Sequence, residues 1–304
     1  MGRQLWGIDL GGTKIEGVVL KNGNDPQVLM RKRIGTEQEK GYQHILGRVR
    51  LLLDDMSKET GIKPTKVGIG TPGTLDPYTN TLKNSNTVCL NGAPFKQDLE
   101  NLCGIPFQIA NDANCFALAE TKMGSVKAQM PEAKVVFGVI IGSGVGGGVV
   151  VNGEIINGRH GIGGEWGHNF LDEEAGECYC GKKGCVEKAI SGRNLEAYFF
   201  NKTGRKEPLK TIYQNHMSGK DPDATFLINR LIRLFGLGIS NVLNILDPDV
   251  VVLGGGVGNI PLLYTEGIME IKKHLFNNRL DTLFLKPTLG DSAGVFGAAF
   301  LGLE

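Results

Sequence analysis

Four side chains that could bind one metal ion lie close together in the segment GHNFLDEEAGECYCGKKGC. They are His168, Cys178, Cys180 and Cys185, and the cysteines have the spacing C-x-C-x4-C. Three thiolates and an imidazole suit four-coordinate zinc, and a closed set of four protein ligands leaves no open position for catalysis. Gly181 and Gly184 fit the tight turns between the ligands. The segment therefore predicts a structural zinc site.

Two carboxylates flank this metal-binding segment. Glu165 lies three residues before His168, and Glu187 lies two residues after Cys185. Most glutamates are solvated surface groups, and this remains the alternative interpretation. A bound metal would instead hold both carboxylates in fixed positions at the ends of one rigid loop, which favours a role in ligand binding.

Two aspartates occupy the ends of predicted strands. Asp112, in IANDANCFALAE, lies where a strand ends and a helix begins. It could be the N-cap of that helix, for which Asp and Asn are preferred, or a general base at the carboxyl end of the strand. Asp9 ends the strand that precedes GGTK. It could cap the turn that follows, or hold a metal-bound water near phosphates that are being transferred.

The stretch VVFGVIIGSGVGGGVVVNGEII gives Gly142, Gly144 and Gly147 the spacing G-x-G-x-x-G. In a dinucleotide-binding Rossmann unit the third glycine opens a helix. Here a β-branched strand follows, and Asn152-Gly153 then predicts another turn. The three glycines are therefore predicted to lie in the bend of a β-hairpin, where unobstructed backbone N–H groups can still bind a phosphate.

Two further glycine turns resemble this one. In LWGIDLGGTKIEGVVL a strand ends at Asp9, and the turn Gly11–Thr13 leads into a second strand. In DPDVVVLGGGVGN a strand over 250–253 ends in Gly254–Gly256, which fits close approach of the backbone to a ligand. We expect all three turns to lie far from the metal site. Loss of the metal is therefore expected to weaken ligand binding at Glu165 and Glu187 and to change little at the turns.

These residues are positioned by alternating strands and helices, which predict an α/β protein with mixed sheets. The predicted strands are 14–20, 28–34, 66–70, 105–111 and 250–253, together with a hairpin over 135–156, and the predicted helices are 38–60, 113–122, 186–200, 223–246 and 293–301.

The chain of 304 residues and 32.7 kDa exceeds the usual size of a single core, so two domains are predicted. The first would cover 1–115, joined by the C-terminal helix at about 293–304. The second would cover 116–292 and carry the zinc loop 168–187. Two hairpins half a chain apart suggest two similar domains with a ligand cleft between them.

The composition argues against several classes of protein. A net charge of +1 gives no electrostatic basis for binding nucleic acid or an anionic membrane. Arg3 and Gln4 precede the first strand without the apolar core of a signal peptide. Six cysteines in a chain of this size do not suggest a disulfide framework. We expect a soluble, cytoplasmic protein.

The motifs DLGGTK, NDANC, GSGVGGG, GEWGH, CYCGKKGCVE and DPDVVVLGGG occur in this order and together cover nearly the whole chain. This combination resembles the ROK family of sugar kinases and sugar-responsive repressors, which has the two-domain actin-like ATPase (ribonuclease H-like) fold. The pairing of E-x-G-H with C-x-C-G-x-x-G-C is highly specific. LKNSNTVCLNGAPFKQDLE resembles the bacterial fructokinase and mannokinase branch, and NDANCFALAE is similar to the glucokinase and N-acetylglucosamine kinase branch.

The resemblance implies an ATP-dependent hexokinase that transfers the γ-phosphate of ATP to the 6-hydroxyl of a hexose, with Mg²⁺ and with Asp112 as the catalytic base. The residues implied to bind the sugar are Gly73, Asn84, Asn111, Glu165, His168 and Glu187. Those implied to bind ATP are Asp9, Gly11, Gly12, Thr13, Lys14, Gly142, Ser143, Gly144, Gly146, Gly147, Gly254, Gly255 and Gly256. The resemblance also implies a homodimer.

A repressor of the same family is the alternative function. It would require a DNA-reading module, typically a helix-turn-helix, ahead of the sugar-binding part. Nothing basic or helical precedes the turn after Asp9, so the kinase is favoured. Glucose, mannose, fructose and N-acetylglucosamine share the 6-hydroxyl, and the sequence does not distinguish among them.

Overall fold

The computed structural model describes residues 4–23 and 25–303. The strands are β1 (Gln4–Leu10), β2 (Lys14–Lys21), β3 (Gln27–Gly35), β4 (Val67–Thr71), β5 (Thr74–Leu75), β6 (Leu82–Lys83), β7 (Phe107–Asn111), β8 (Val135–Ile141), β9 (Val145–Val151), β10 (Glu154–Ile155), β11 (Val250–Gly254) and β12 (Leu283–Leu285). The helices are α1 (Tyr42–Thr60), α2 (Phe95–Cys103), α3 (Asp112–Lys122), α4 (Ser125–Gln129), α5 (Val186–Ile190), α6 (Gly192–Thr203), α7 (Leu209–Met217), α8 (Pro222–Leu246), α9 (Gly255–Gly258), α10 (Glu266–Lys272) and α11 (Ala293–Phe300).

The chain divides into two compact units. The first unit contains Met1–Glu132, Gly148–Gly164 and Thr288–Glu304, and the second contains Ala133–Gly147 and Glu165–Pro287. Each unit is therefore assembled from segments that are distant in sequence. The domain boundary at residue 115 remains a prediction.

The sheet of the first unit has the strand order β3-β2-β1-β4-β7. Strands β1, β2 and β3 are antiparallel neighbours, whereas β4 is parallel to both β1 and β7. The carboxyl ends of β1, β4 and β7 consequently lie at the same edge of the sheet. This edge carries Asp9 and Asn111, with Asp112 following directly.

The two faces of this sheet are covered in different ways. On one face, α1 buries Ile45, Val49 and Leu52 in the hydrophobic core with β1 and β4. Helix α11 packs against β1 and β4 so closely that a Cβ atom on Gly68 would lie 1.8 Å from the carbonyl oxygen of Ala298. Only glycine fits such a contact, because the obstructing atom belongs to the backbone.

The second unit contains β8, β11 and β12, which are parallel, within a sheet of order β10-β9-β8-β11-β12. The boundary between the units falls inside β9. Helix α8 is the central helix of this unit and contacts α5, α6, α7 and α10. It is long and apolar enough to span a membrane, but 67% of its most apolar window is buried in the protein. Its apolar surface therefore belongs to the core.

The mixed α/β architecture and the predicted hairpins are confirmed. Asn152 and Gly153 have φ angles of 52° and 79°, as expected for the turn between β9 and β10. One detail is wrong: Gly146 and Gly147 lie inside β9, so the bend contains only residues 142–144. Helices α2, α7 and α10 were not predicted, because their short segments lack a clear start signal.

Candidate functional site

The predicted metal ligands of the second unit come together. The ligand atoms of His168, Cys178, Cys180 and Cys185 all lie within 4.8 Å of one another. The Cys178 Sγ is 3.7 Å from the His168 Nδ1, and the Sγ atoms of Cys180 and Cys185 are 3.6 Å apart. A tetrahedral zinc ion with Zn–S bonds of about 2.3 Å requires ligand separations of about 3.7 Å. The donor set therefore fits zinc in both chemistry and spacing.

The backbone of the loop holds these ligands in place. The Cys178 N–H donates to the Lys182 carbonyl at 2.8 Å, and Gly181 and Gly184 have φ angles of 82° and 80°. Such angles favour glycine. Burial raises the pKa of the Cys185 thiol, an effect that a bound cation would oppose.

The other ring nitrogen of His168 has a partner that was not predicted. The Nε2 atom is 3.1 Å from the Tyr179 hydroxyl, and the two rings pack edge to face. If Nδ1 binds the metal, Nε2 is the atom that can hydrogen-bond to Tyr179 or to a ligand. Tyr179 lies between two of the cysteines, where the metal-binding pattern assigns no function to it.

The two predicted carboxylates lie near each other and are not ordinary surface groups. Burial raises the pKa of Glu165; His168 opposes this effect, and the negative charge of Glu187 adds to it. The Glu187 Oε2 atom accepts a hydrogen bond of 3.0 Å from the backbone N–H of Val145. The structure thus brings Glu165, His168 and Glu187 together in the second unit.

The contact with Val145 corrects one expectation. Val145 directly follows the bend at residues 142–144, so the end of the metal loop touches this glycine turn. A Cβ atom on Gly144 would lie 2.7 Å from Glu187 Oε2. The expectation that the metal loop and this turn are remote from each other is therefore wrong, because α5 folds back onto the hairpin.

A cavity of about 740 Å³ opens beside the bend in the second unit. Gly142, Ser143 and Gly256, all predicted to bind ATP, line it. Its other lining residues are Gly192, Arg193, Glu196, Leu209, Lys210, Tyr213, Val257, Asn259, Ile260 and Pro261. A mostly apolar cavity of this size with a few polar groups is suited to a small molecule. The residues from α6 and α7 were missed, because α6 was predicted only as a helix without a function and α7 was not predicted.

The remaining glycines of the third turn have different surroundings. Gly254 is the last residue of β11, and Gly255 begins α9 with a φ angle of 82°. A Cβ atom on Gly255 would lie 2.4 Å from the Ile141 carbonyl oxygen, whereas Gly256 has open space. Gly255 is therefore required for packing against β8, and Gly256 leaves room for a ligand.

In the first unit, Asp9 and Asp112 are close enough to affect each other. Burial, followed by the negative charges of Asp112 and Glu16, raises the pKa of Asp9 to about 6. Glu16 is itself buried and forms ion pairs with Arg31 and Arg33. The edge of the sheet therefore concentrates carboxylates, which is a suitable environment for a divalent cation.

The capping interpretation of Asp112 needs a correction. The N-cap of α3 is Asn111, whose side chain accepts a hydrogen bond from the Ala113 N–H at 2.9 Å. Asp112 is the first residue of the helix, and its Oδ1 atom accepts from the same N–H at 2.8 Å. Because Asn111 already caps the helix, the Asp112 carboxylate is not required for this purpose.

The turn after β1 is a compact hairpin bend. The Gly11 N–H donates to the Lys14 carbonyl at 3.0 Å, and the Thr36 N–H donates to the Thr13 carbonyl at 3.1 Å. A Cβ atom on Gly12 would meet only the flexible side chain of Gln38, at 3.3 Å. The bend therefore presents backbone with little obstruction beside Asp9.

The predicted sugar-binding residues Gly73 and Asn84 are neighbours. A Cβ atom on Gly73 would lie 2.5 Å from the Lys83 carbonyl oxygen and 2.9 Å from the Ser85 nitrogen. Asn84 has a φ angle of 59°, in the left-handed region that asparagine tolerates. Gly73 is therefore needed for close contact with the segment that carries Asn84.

Known sugar kinases are similar to this chain over nearly its whole length. An N-acetyl-D-glucosamine kinase of Aliivibrio salmonicida is 34% identical over 309 residues, which cover 98% of this chain and 99% of the relative. The crystal structure of a ROK hexokinase from Thermus thermophilus has a TM-score of 0.86 and 30% identity over 99% of this chain and 98% of that one.

A ROK family glucokinase from Streptomyces griseus, solved in complex with glucose and AMPPNP, has a TM-score of 0.76 and 27% identity. The match covers 99% of both chains. The sequence model of the ROK family matches residues 5–304. The chain belongs to the ROK family.

Proposed function

We propose that this protein is an ATP-dependent hexose kinase that phosphorylates the 6-hydroxyl of its sugar. The observation that carries the proposal is the nucleotide-sized cavity beside the glycine bend, in a chain whose kinase relatives match over nearly their whole length. The same relatives favour the kinase over the repressor of the same family, and the N-acetyl-D-glucosamine kinase makes that sugar the leading candidate.

The nucleotide would be bound mainly by backbone. Ser143 is proposed to contact a phosphate through its N–H group, and Gly256 to lie against the adenosine in the cavity. Gly142 also lines the cavity, but its N–H donates to the Gly144 carbonyl at 2.9 Å and thereby holds the shape of the bend. Gly144, Gly146, Gly147, Gly254 and Gly255 support these contacts through the conformation and packing of β8, β9 and β11. The hairpin bend Gly11–Lys14 is proposed as a second phosphate contact.

Asp112 is proposed to orient the sugar 6-hydroxyl and to accept its proton as the bond to the γ-phosphorus forms. Asp9 is proposed to hold Mg²⁺. Burial is the main cause of the raised pKa of Asp9, and a cation beside Asp9 and Asp112 would relieve the repulsion that adds to it. A bound Mg²⁺ ion would neutralise negative charge on the oxygens of the phosphoryl group that is transferred.

The sugar hydroxyls are proposed to bind Asn84, Asn111, Glu165, Glu187 and the Nε2 atom of His168, with Gly73 supporting Asn84. Zinc on His168, Cys178, Cys180 and Cys185 is proposed to be structural, because four protein ligands fill its coordination sphere. We also propose a homodimer that acts in the cytoplasm, and sedimentation velocity tests the dimer.

A coupled assay of ADP release tests the function, with ATP and, in turn, glucose, mannose, fructose and N-acetyl-D-glucosamine. Turnover is expected with at least one hexose, fastest with N-acetyl-D-glucosamine, and the product should be the 6-phosphate by NMR. Binding of a hexose without turnover of any of the four sugars would instead support the repressor.

A further inference from the structure

The segment that runs from Glu187 in α5 to Gly192 at the start of α6 is hydrogen-bonded at both of its ends to the glycine bend of the second unit. At one end, the Glu187 carboxylate accepts from the Val145 N–H at 3.0 Å. At the other, the Gly192 N–H donates to the Gly142 carbonyl at 2.8 Å. We call Glu187–Gly192 the clamp segment. It fixes the bend on the side where Gly142, Ser143 and Gly192 line the cavity.

The clamp segment is in turn attached to the metal loop. Cys185 is the N-cap of α5, and Glu187 is the second residue of this helix. The Val186 N–H donates to the Asn169 carbonyl at 2.9 Å, next to His168. Two of the four metal ligands therefore fix the start of the helix that presents Glu187 to the bend.

The clamp segment is also internally braced. The Ser191 N–H donates to the Glu187 carbonyl at 3.1 Å, and the Asn194 side chain donates to the same carbonyl and to the Ser191 hydroxyl. A displacement of Glu187 would therefore be transmitted to Ser191 and to the start of α6, which borders the cavity.

We propose that Glu187 is a positioning residue for the nucleotide as well as a ligand of the sugar, so that the metal loop sets the affinity for ATP through the clamp segment. This inference rests on the proposed kinase function. It reverses the expectation that loss of the metal leaves this glycine turn unaffected. Its physical basis is the hydrogen bond that the Glu187 side-chain oxygen accepts from the backbone of the bend that contacts the phosphates.

The test compares Glu187→Ala, Glu187→Gln and Glu165→Ala, with the dissociation constants for AMPPNP and for the hexose measured separately by isothermal titration calorimetry. Glu187→Ala removes the acceptor for Val145, so the Kd for AMPPNP without sugar should rise roughly tenfold. Glu187→Gln keeps an amide oxygen in the same place and should bind AMPPNP within about twofold of the wild type, while sugar binding weakens.

Glu165→Ala is the matched control, because Glu165 belongs to the same carboxylate pair and its side chain has no hydrogen bond to the bend among the described residues. It should weaken sugar binding and leave the Kd for AMPPNP unchanged. Near-UV circular dichroism of each variant checks that it is folded. If Glu187→Ala proves unfolded, the Kd for AMPPNP of Cys180→Ser still tests the proposal.

Cys180→Ser should reduce zinc to well below one per chain by mass spectrometry and raise the Kd for AMPPNP by a factor similar to that of Glu187→Ala. Unchanged AMPPNP binding in Glu187→Ala, or in zinc-depleted Cys180→Ser, would overturn the inference. A wild-type protein that binds neither AMPPNP nor any hexose would instead overturn the proposed function, so the two failures are distinct.

Discussion

Asp112 is the residue on which the chemistry of the proposed reaction depends. Because Asn111 caps α3, an amide at position 112 should preserve the helix while losing the ability to accept a proton. We expect Asp112→Asn to lower kcat by about 10²- to 10⁴-fold, the usual range for a positioned acid–base group, and to retain sugar binding. A coupled ADP assay and calorimetry with the hexose measure the two quantities.

The control for this variant is Asp221→Asn. Asp221 is the N-cap of α8, where its carboxylate accepts from the N–H groups of Asp223 and Ala224. Its replacement should lower thermal stability slightly and leave kcat unchanged. A kcat for Asp112→Asn within threefold of the wild type would contradict the assignment of Asp112 as the base.

Asp9 should make stability depend on pH. Its pKa is about 6 in the folded protein, raised from 3.8, so the folded state holds a proton more tightly than the unfolded chain does. The corresponding stabilisation is present below about pH 4 and is lost as the pH rises through 6. Relative to Asp9→Asn, the wild type should lose up to about 3 kcal/mol between pH 4 and pH 7.

Denaturant unfolding of both proteins across this pH range measures the difference in free energy of unfolding. The comparison with Asp9→Asn removes the contribution of the titrating groups that do not interact with Asp9. A difference that is constant with pH would show that the Asp9 carboxyl has an ordinary pKa.

Among the elements, the metal loop is anchored by more than its metal ligands. Arg230, on the buried side of α8, donates to the Asp172 carboxylate at 2.5 Å and to the Ala189 carbonyl at 3.3 Å. Its guanidinium group also lies over the ring of Tyr198, 4.3 Å from the centroid. One cation therefore ties the loop and the end of α5 to the central helix.

Removing one partner of this pair should leave the other charge buried without compensation. We expect Asp172→Leu to destabilise the protein by about 3–5 kcal/mol, and the double variant Asp172→Leu with Arg230→Met to recover a large part of this loss. Thermal unfolding monitored by circular dichroism measures both effects.

The matched control is the more exposed pair of Arg205 and Asp221, whose side-chain exposures are 39% and 14%. Arg205→Met should lower Tm much less than Asp172→Leu does, because solvent screens an exposed pair. Equal losses at the two pairs would show that the buried position of Arg230 has no special effect on the loop.

At the scale of the whole molecule, the sequence predicts what local chemistry determines. The metal ligands are recognisable because thiolates and imidazole at short spacing have few other uses, and the hairpin bends because Asn152-Gly153 and the glycine runs favour them. No sequence pattern reveals the role of Gly68. The absence of a side chain at this position allows close packing of α11, which lies more than 200 residues later in the chain.

The bond between Glu187 and Val145 likewise depends on tertiary structure. Its partner is a backbone N–H 42 residues away, and a backbone group has no residue type that a sequence pattern could reveal. The cavity residues on α6 and α7 have side chains that are common on surface helices. They line a cavity only because the fold places these helices beside the bend. Sequence reasoning therefore finds the groups that do chemistry more readily than the groups that position them.

Hexose and AMPPNP should both raise the thermal stability of the whole protein. A ligand that binds only the folded state raises the free energy of unfolding by RT ln(1 + [L]/Kd). If Glu187 serves both ligands, hexose and AMPPNP together should raise Tm in the wild type by more than the sum of their separate shifts. A coupling factor of about tenfold corresponds to about 1.4 kcal/mol, or roughly 2 °C for a protein of this size.

Differential scanning calorimetry with each ligand at the same multiple of its Kd measures this surplus. In Glu187→Ala the separate shifts should simply add, because the carboxylate that joins the sugar to the bend is absent. In Glu165→Ala the surplus should persist, since the bond from Val145 to Glu187 is intact. A surplus of equal size in Glu187→Ala would mean that the two ligands communicate by a route that does not include the clamp segment.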